Sequence, residues 1–375
     1  FGSSHFGSKC LPMRLIIIRH GESESNRRDF TYASYVANGS MTAEEADAAK
    51  LKARVAIEKN GDTFLTDNGY KQARLLGEYW APILSRKARE ETTSNGKSLG
   101  KLHVFVSPMQ RNFETAAPLM EKLRGELGAG ADFTATVNAD LFEIPAIGLP
   151  TDRSEFVRQM TLQQEGKFDE LAQASEAFKG KWKPAGLTPN QMREKFPWAV
   201  VPGGAFPNGD DQGWWSGGFE TWYQVNARMH RLCDWLEGLQ ETLPDNDVVL
   251  MITHGDQTSR MLNILLGRAF LGRDAVAAAV PTQPHGRRST AGFEWMDLGP
   301  KSNTSVSSIL MPPCSTGGKL AIEFFHRLDH LGEGTSPDTL MRGYQYMGLS
   351  NRAGERMQRR SPIGYYGLIA PDAKL

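Results

Sequence analysis

The chain is poor in several features that would each point to a particular kind of protein. It has three cysteines in 375 residues, Cys10, Cys233 and Cys314. They form no CxxC pair and no even-numbered framework, so a disulfide scaffold or a zinc ribbon has nothing to build on. Charge of one sign is not in excess, because 43 Lys plus Arg face 43 Asp plus Glu. That balance excludes a nucleic-acid binder working by bulk charge, while leaving room for a local cationic pocket. No apolar run approaches the roughly 20 residues of a membrane span, so a soluble protein is expected. There is no internal repeat. Residues 1–12, FGSSHFGSKCLP, are polar and Gly/Ser-rich and read as an N-terminal extension or processed end outside the fold. A native, trimmed targeting segment there would make a mitochondrial location plausible beside a cytoplasmic one.

Against that background the apolar residues are organised. Leu15–Ile18, HVFVS at 103–107 and DVVLMIT at 247–253 are short, continuously apolar runs of the kind that form strands covered on both faces. Helical spacing follows each of them. Thr66 stands as a hydroxyl N-cap before Leu75, Leu76, Tyr79, Trp80 and Ile83. Pro108 is expected in the first turn of a helix carrying Arg111 to Leu123. Residues 219–239 and the stretch after Gly255 repeat the pattern, and residues 42–59 read as a surface helix with little to bury. Alternating strands and helices imply an α/β fold, a three-layer α/β/α arrangement with a mostly parallel central sheet. A late hairpin, 305–311 and 319–325, is expected at its edge. Three stretches do not fit this plan: insertions 28–64 and 151–215, and an irregular tail over 327–375. The second holds Trp182, Trp198, Trp214 and Trp215 among Gly/Pro-rich loops and reads as a cap. The expected division is therefore a core domain over 13–326 and a tail that docks partner proteins or another surface.

Two of the apolar strands end alike, in Arg19-His20-Gly21 and in Thr253-His254-Gly255. In open α/β sheets, sites form beyond the carboxyl ends of strands, where helix N-termini also point their N–H groups inward. The middle strand leads into SPMQRNFETA, which puts Arg111 in the first turn of its helix. Two histidines and two arginines can thus surround one point. Arginine forks match the oxygens of a phosphoryl dianion, so such a cluster suits phosphate chemistry. Each residue also has a plainer reading: a strand-end histidine is often a hydrogen-bonded structural residue, and a buried arginine is often half of a salt bridge.

Six segments in order, RHGESESN, LTDNGYKQA, SPMQRNFETA, LFEIPAIG, THGDQTSRML and NTSVSSI, resemble the histidine phosphatase superfamily, in its phosphoglycerate-mutase-like branch. They cover about two-thirds of the chain. The resemblance implies a metal-independent phosphomonoester hydrolase in which His20 is the nucleophile and Glu143 the general acid and base. Arg19, Arg111 and His254 would bind the phosphoryl oxygens, with Asn26 and the Gly255 amide as lesser donors. Glu22, Glu114 and Asp256 remain rival carboxylates for the role of Glu143. The family's mutases carry a Trp-Glu-Arg-Arg-His-Tyr-type segment after the glutamate. Here IPAIGLPTDRSEF stands in its place, which favours hydrolysis over phosphoryl transfer to a second hydroxyl. A different class of function also fits the inserts and tail, that of a structural or assembly subunit. No metal or cofactor is expected, since the arginines supply the positive charge, and the expected partner is a phosphorylated substrate. His326 and His330, spaced like two zinc ligands on a helix, lack the glutamate of HExxH and are expected to be surface residues. NGS and NTS are formal glycosylation sequons without other support for secretion.

Overall fold

The computed structural model describes residues 12–27, 32–37, 39–60, 62–93, 101–127, 133–144, 153–178, 181, 184–215, 219–244, 247–271, 274, 276, 303–311 and 320–331. In chain order these form β1 (Met13–Arg19), α1 (Glu24–Asn26), α2 (Tyr32–Ala37), α3 (Ala43–Asn60), α4 (Asp67–Thr93), β2 (Leu102–Val106), α5 (Gln110–Leu127) and β3 (Ala135–Val137). There follow α6 (Arg153–Gln164), α7 (Phe168–Phe178), α8 (Pro189–Lys195), β4 (Ala199–Val200), α9 (Trp222–Thr242), β5 (Val248–Thr253), α10 (Gly255–Leu271), β6 (Val306–Met311) and β7 (Ala321–Arg327). Short 3-10 turns lie at Ala139–Leu141 and Asp329–Leu331.

The strands make one sheet in the order β4-β3-β2-β5-β1-β6-β7. All pairings from β4 to β1 are parallel, while β6 runs antiparallel to β1 and β7 antiparallel to β6. This is the three-layer, mostly parallel architecture expected, with the late hairpin at its edge. The period of two along β1 shows why both faces are covered. Ile16 and Ile18 pack with Leu76 and Trp80 of α4 and with Phe113 and Leu119 of α5. Leu15 and Ile17 pack on the opposite face with Val225, Met229 and Leu232 of α9 and with Met261 and Leu265 of α10. Among the described residues no helix is long and apolar enough to cross a membrane.

Local signals set several helix starts. The Thr66 hydroxyl accepts from the Gly69 N–H at 3.0 Å and caps α4 as expected. Thr221 and Gln224 form a reciprocal capping box at the start of α9. Pro108, however, lies in the turn before α5 rather than in its first turn. The helix begins at Gln110, whose N–H donates to the buried Asp62 carboxylate at 2.8 Å. A segment 48 residues upstream therefore decides where α5 starts.

Three further expectations need correction. Residues 151–215 do not form one cap. The helices α6 and α7 make a small cluster of their own with Phe219, but Trp198 and Trp214 lie in the main core beside α5, and β4 joins the sheet. The strands β3 and β4 are too short to show a period in sequence. Finally, the folded body continues past residue 326, because β7 runs to Arg327 and His330 and Leu331 are buried. His326 stands in that strand, so no helix pairs it with His330, and His330 is not a surface residue. The rest of the expected tail, from residue 332, and Trp182 lie outside the described residues. By contrast, α3 is the surface helix expected, burying Ala46, Ala53 and Ile57 and leaving Leu51 and Val55 exposed.

The loop after β1 passes unusually close to α4. A Cβ on Gly69 would stand 2.0 Å from the Glu22 carbonyl oxygen, and one on Gly21 would stand 2.8 Å from the Gly69 oxygen. Both obstacles are backbone, which moves only with its strand or helix. Gly69→Ala is therefore expected to cost about 2–3 kcal/mol, as overpacking does, read from urea unfolding midpoints at unchanged slope.

Candidate active site

The parallel register pairs Arg19 with Thr253 at the last rung between β1 and β5. The residues that follow, His20 and His254, leave the sheet side by side, with ring centroids 5.1 Å apart. His20 is held at every polar backbone atom. Its N–H donates to the Thr253 carbonyl at 3.0 Å, and its own carbonyl accepts from the Thr304 N–H at 3.2 Å. The next N–H, of Gly21, donates to the Thr115 hydroxyl at 2.9 Å, and that hydroxyl donates to the Arg111 carbonyl at 2.7 Å. The His20 Nδ1 lies 2.7 Å from the Gly21 carbonyl. A carbonyl only accepts, so Nδ1 carries the proton and Nε2 presents a lone pair.

Arg111 and His254 meet directly, with a guanidinium nitrogen 3.0 Å from His254 Nδ1. Guanidinium only donates, so that nitrogen is unprotonated and the ring proton sits on Nε2. The Ser107 hydroxyl lies 2.8 Å from Nε2 and accepts it. The Asn112 amide is 2.9 Å from the same atom. Turned end for end, it would bring its otherwise unsatisfied oxygen to the ring. Both histidines are held well below the ordinary imidazole range, first by burial and then by the positive charge of Arg111. Both are thus neutral near pH 7. Arg19 and Arg111 are themselves buried, and the Arg111 Nε has no hydrogen-bond partner among the described residues. A buried donor left open beside concentrated positive charge is a place prepared for an anion.

Glu143 closes the cluster. Ligand-capable atoms of His20, His254 and Glu143 all lie within 4.8 Å of one another. One carboxylate oxygen of Glu143 accepts from the N–H groups of Ile144 at 2.9 Å and Gln257 at 3.1 Å, and the other is 3.9 Å from His254 Nδ1. Burial, then the nearby charge of Asp256, pushes its carboxyl up to about 7, with Arg111 and Arg19 pulling the other way. The rival carboxylates have other surroundings. Glu22 accepts from the Thr66 hydroxyl at 2.7 Å, behind the loop. Glu114 accepts from the Leu65 N–H at 2.7 Å and from Gln110 at 2.8 Å, which ties α5 to the start of α4. Asp256 is exposed on the first turn of α10.

The lesser donors stand differently. Gly255 opens α10, where the first N–H groups lack intrahelical acceptors. Asn26 is engaged in a capping box with Ser23, its side-chain oxygen accepting from the Ser23 N–H at 3.2 Å. Several supporting residues were not singled out in the sequence. Ser107, Asn112 and Thr115 sit inside a motif already singled out, and helical spacing from Arg111 could have found Thr115. Arg228 and Asp62 could not have been found, because their partners are distant in sequence. Arg228 is buried on α9, paired with Glu220 at 2.6 and 2.7 Å. It donates to the carbonyls of Asp140 and Phe142 at 2.9 and 2.8 Å, and so carries the loop that ends in Glu143.

No family model and no curated protein matches the chain. Solved structures similar to it include mycobacterial hydrolase 2, at 16% identity over 88% of this chain and 96% of that one, with a TM-score of 0.38. A mycobacterial glucosyl-3-phosphoglycerate phosphatase is 16% identical over 84% of this chain and 100% of that one, at 0.35. The ecdysone phosphate phosphatase of Bombix mori, in complex with tungstate, is 16% identical over 79% and 88%, at 0.34. Likenesses this distant assign neither an activity nor a residue role, so both must be argued from the site.

Two outcomes follow from the geometry. Arg228→Met leaves Glu220 buried without its partner, and is expected to cost about 3–5 kcal/mol in chemical denaturation. Glu143 binds its proton more tightly folded than unfolded, so between the ordinary carboxylate value and about pH 7 the folded state holds more protons. Its contribution to stability is complete at low pH and is lost as pH rises through that window. Glu143→Gln is therefore expected to be more stable than wild type above pH 7, on the order of 1–3 kcal/mol. Thermal melts should show the difference shrinking as the pH falls toward 4.

Proposed function

We propose that this chain is a histidine phosphatase, a phosphomonoester hydrolase that works through a phosphohistidine on His20 without a metal. The observation that carries the reading is the fixed tautomer of His20. Its Nδ1 proton is committed to the Gly21 carbonyl, which leaves an Nε2 lone pair among two buried guanidinium groups and a carboxyl that is partly protonated near neutrality.

The steps balance on these groups. The Nε2 lone pair attacks phosphorus in line, an N–P bond forms, and the bond from phosphorus to the ester oxygen breaks. The Glu143 carboxyl gives its proton to the departing oxygen. Water then attacks phosphorus, passes a proton to the Glu143 carboxylate, and releases phosphate as the electron pair returns to Nε2. Arg19 and Arg111 hold the equatorial oxygens, with Asn26 and the Gly255 amide as further donors, and His254 joins them when a proton on its Nδ1 displaces the Arg111 contact. The bound dianion raises the affinity of both His254 and Glu143 for protons, so binding itself prepares the acid.

His20, His254 and Glu143 are also residue types that ligate metals. Here, however, both nitrogens of His254 are occupied, by Arg111 and by Ser107. A divalent cation would also share the pocket with two buried guanidinium groups, and their repulsion makes the site unsuitable. The pocket favours an anion instead.

The test is release of phosphate from an aryl phosphate in EDTA by wild type and by His20→Ala. Activity that survives the chelator and falls by at least about 10³-fold in the variant is the expected result. A chelator-sensitive rate, or an active His20→Ala protein, would overturn the mechanism.

A further inference from the structure

Thr304 is the sole non-glycine among the described residues with a positive φ, at 56°. A β-branched side chain is disfavoured in that left-handed region and persists there only when its surroundings hold it. Thr304 is fully buried, and its N–H is the donor to the His20 carbonyl. Its hydroxyl donates to the Asn303 carbonyl at 2.7 Å. That leaves its oxygen to accept from His330, whose Nε2 lies 2.8 Å away. His330 is itself buried, in the 3-10 turn that follows β7 and packs against α4.

We propose that His330 is a positioning residue for the nucleophile, acting through Thr304; this rests on the reading of His20 given above. The peptide plane between His20 and Gly21 is gripped from two sides. The Thr304 N–H holds its carbonyl, and the Thr115 hydroxyl holds its N–H. The orientation of that plane sets the start of the Gly21 residue, whose carbonyl fixes the imidazole tautomer. His330 clamps the Thr304 hydroxyl and so keeps Thr304 in the one backbone conformation that aims its N–H at His20. The segment after β7, which separates so far in sequence from the Arg-His-Gly motif, is on this account part of the machinery that aims the attacking nitrogen.

The test uses the full chain as wild type, His330→Phe and His330→Gln, with two readouts: steady-state hydrolysis of an aryl phosphate and the ¹⁵N spectrum of the His20 imidazole. Phenylalanine fills the space without a donor, while the glutamine amide nitrogen reaches roughly the position of Nε2. His330→Phe is expected to lower kcat by about 10- to 100-fold, the scale of a misaimed reacting group. KM should stay within about threefold of wild type. His20 should lose its single Nδ1–H tautomer, and His330→Gln should restore both readouts. A His330→Phe protein that is less stable but keeps the wild-type kcat and tautomer would overturn the proposal. If wild type hydrolyses nothing, the hydrolase reading falls, and the tautomer readout still decides the role of His330. Should His330→Phe not fold, Thr304→Val removes the clamped hydroxyl and leaves His330 in place. It is expected to show the same loss of tautomer and rate, and unchanged values would again overturn the proposal.

Discussion

The parallel ladder between β1 and β5 puts Arg19 opposite Thr253, and the candidate site depends on that register. A slip of one residue would exchange the two buried faces of β1 and their packing partners, and it would also separate the histidines that leave the two strands. The same layers of α4, α5, α9 and α10 that bury the sheet therefore hold the register that builds the site. Ser107, at the end of β2, extends the line of strand ends. It reaches His254 from the neighbouring strand, and Arg111 enters one helical turn later.

Burying Arg19, Arg111 and two histidines together is costly in isolation, because each charge loses its water. The structure lowers that cost by keeping both imidazoles neutral and by placing Asp62 and Glu143 within electrostatic reach of Arg111. The remaining imbalance is positive and faces the open Nε2 of His20. Stability and the proposed chemistry are linked here, since any anion entering the cluster would offset an electrostatic cost that the folded chain already carries. Loss of water around Glu143 has a related effect, because it disfavours the charged carboxylate and keeps the group partly protonated near neutrality.

The support around His20 and Glu143 comes from far along the chain. Arg228 on α9 holds the Asp140–Phe142 loop, and Thr115 on α5 holds Gly21. Thr304 before β6 and His330 after β7 complete the set. Thr115 and Thr304 converge on the short His20–Gly21 segment, His330 backs Thr304, and Arg228 holds the separate loop that ends in Glu143.

The sequence by itself determined the three buried strands, the edge hairpin, the caps at Thr66 and the residues that carry charge at strand ends. Those features are local: an apolar run, a hydroxyl before a helix, a histidine next to an arginine. It also pointed to Glu143 through a motif, although it left Glu22, Glu114 and Asp256 open, because a carboxylate's role depends on its neighbours in space. Only the tertiary structure decided which carboxyl stands beside the histidines, where α5 starts, and that Trp198 and Trp214 belong to the main core. It alone placed β3 and β4 in the sheet and buried His330 against Thr304. Each of these rests on a contact between residues distant in sequence. No periodicity or cap signal records such a contact, because the partners become neighbours only when the sheet has formed.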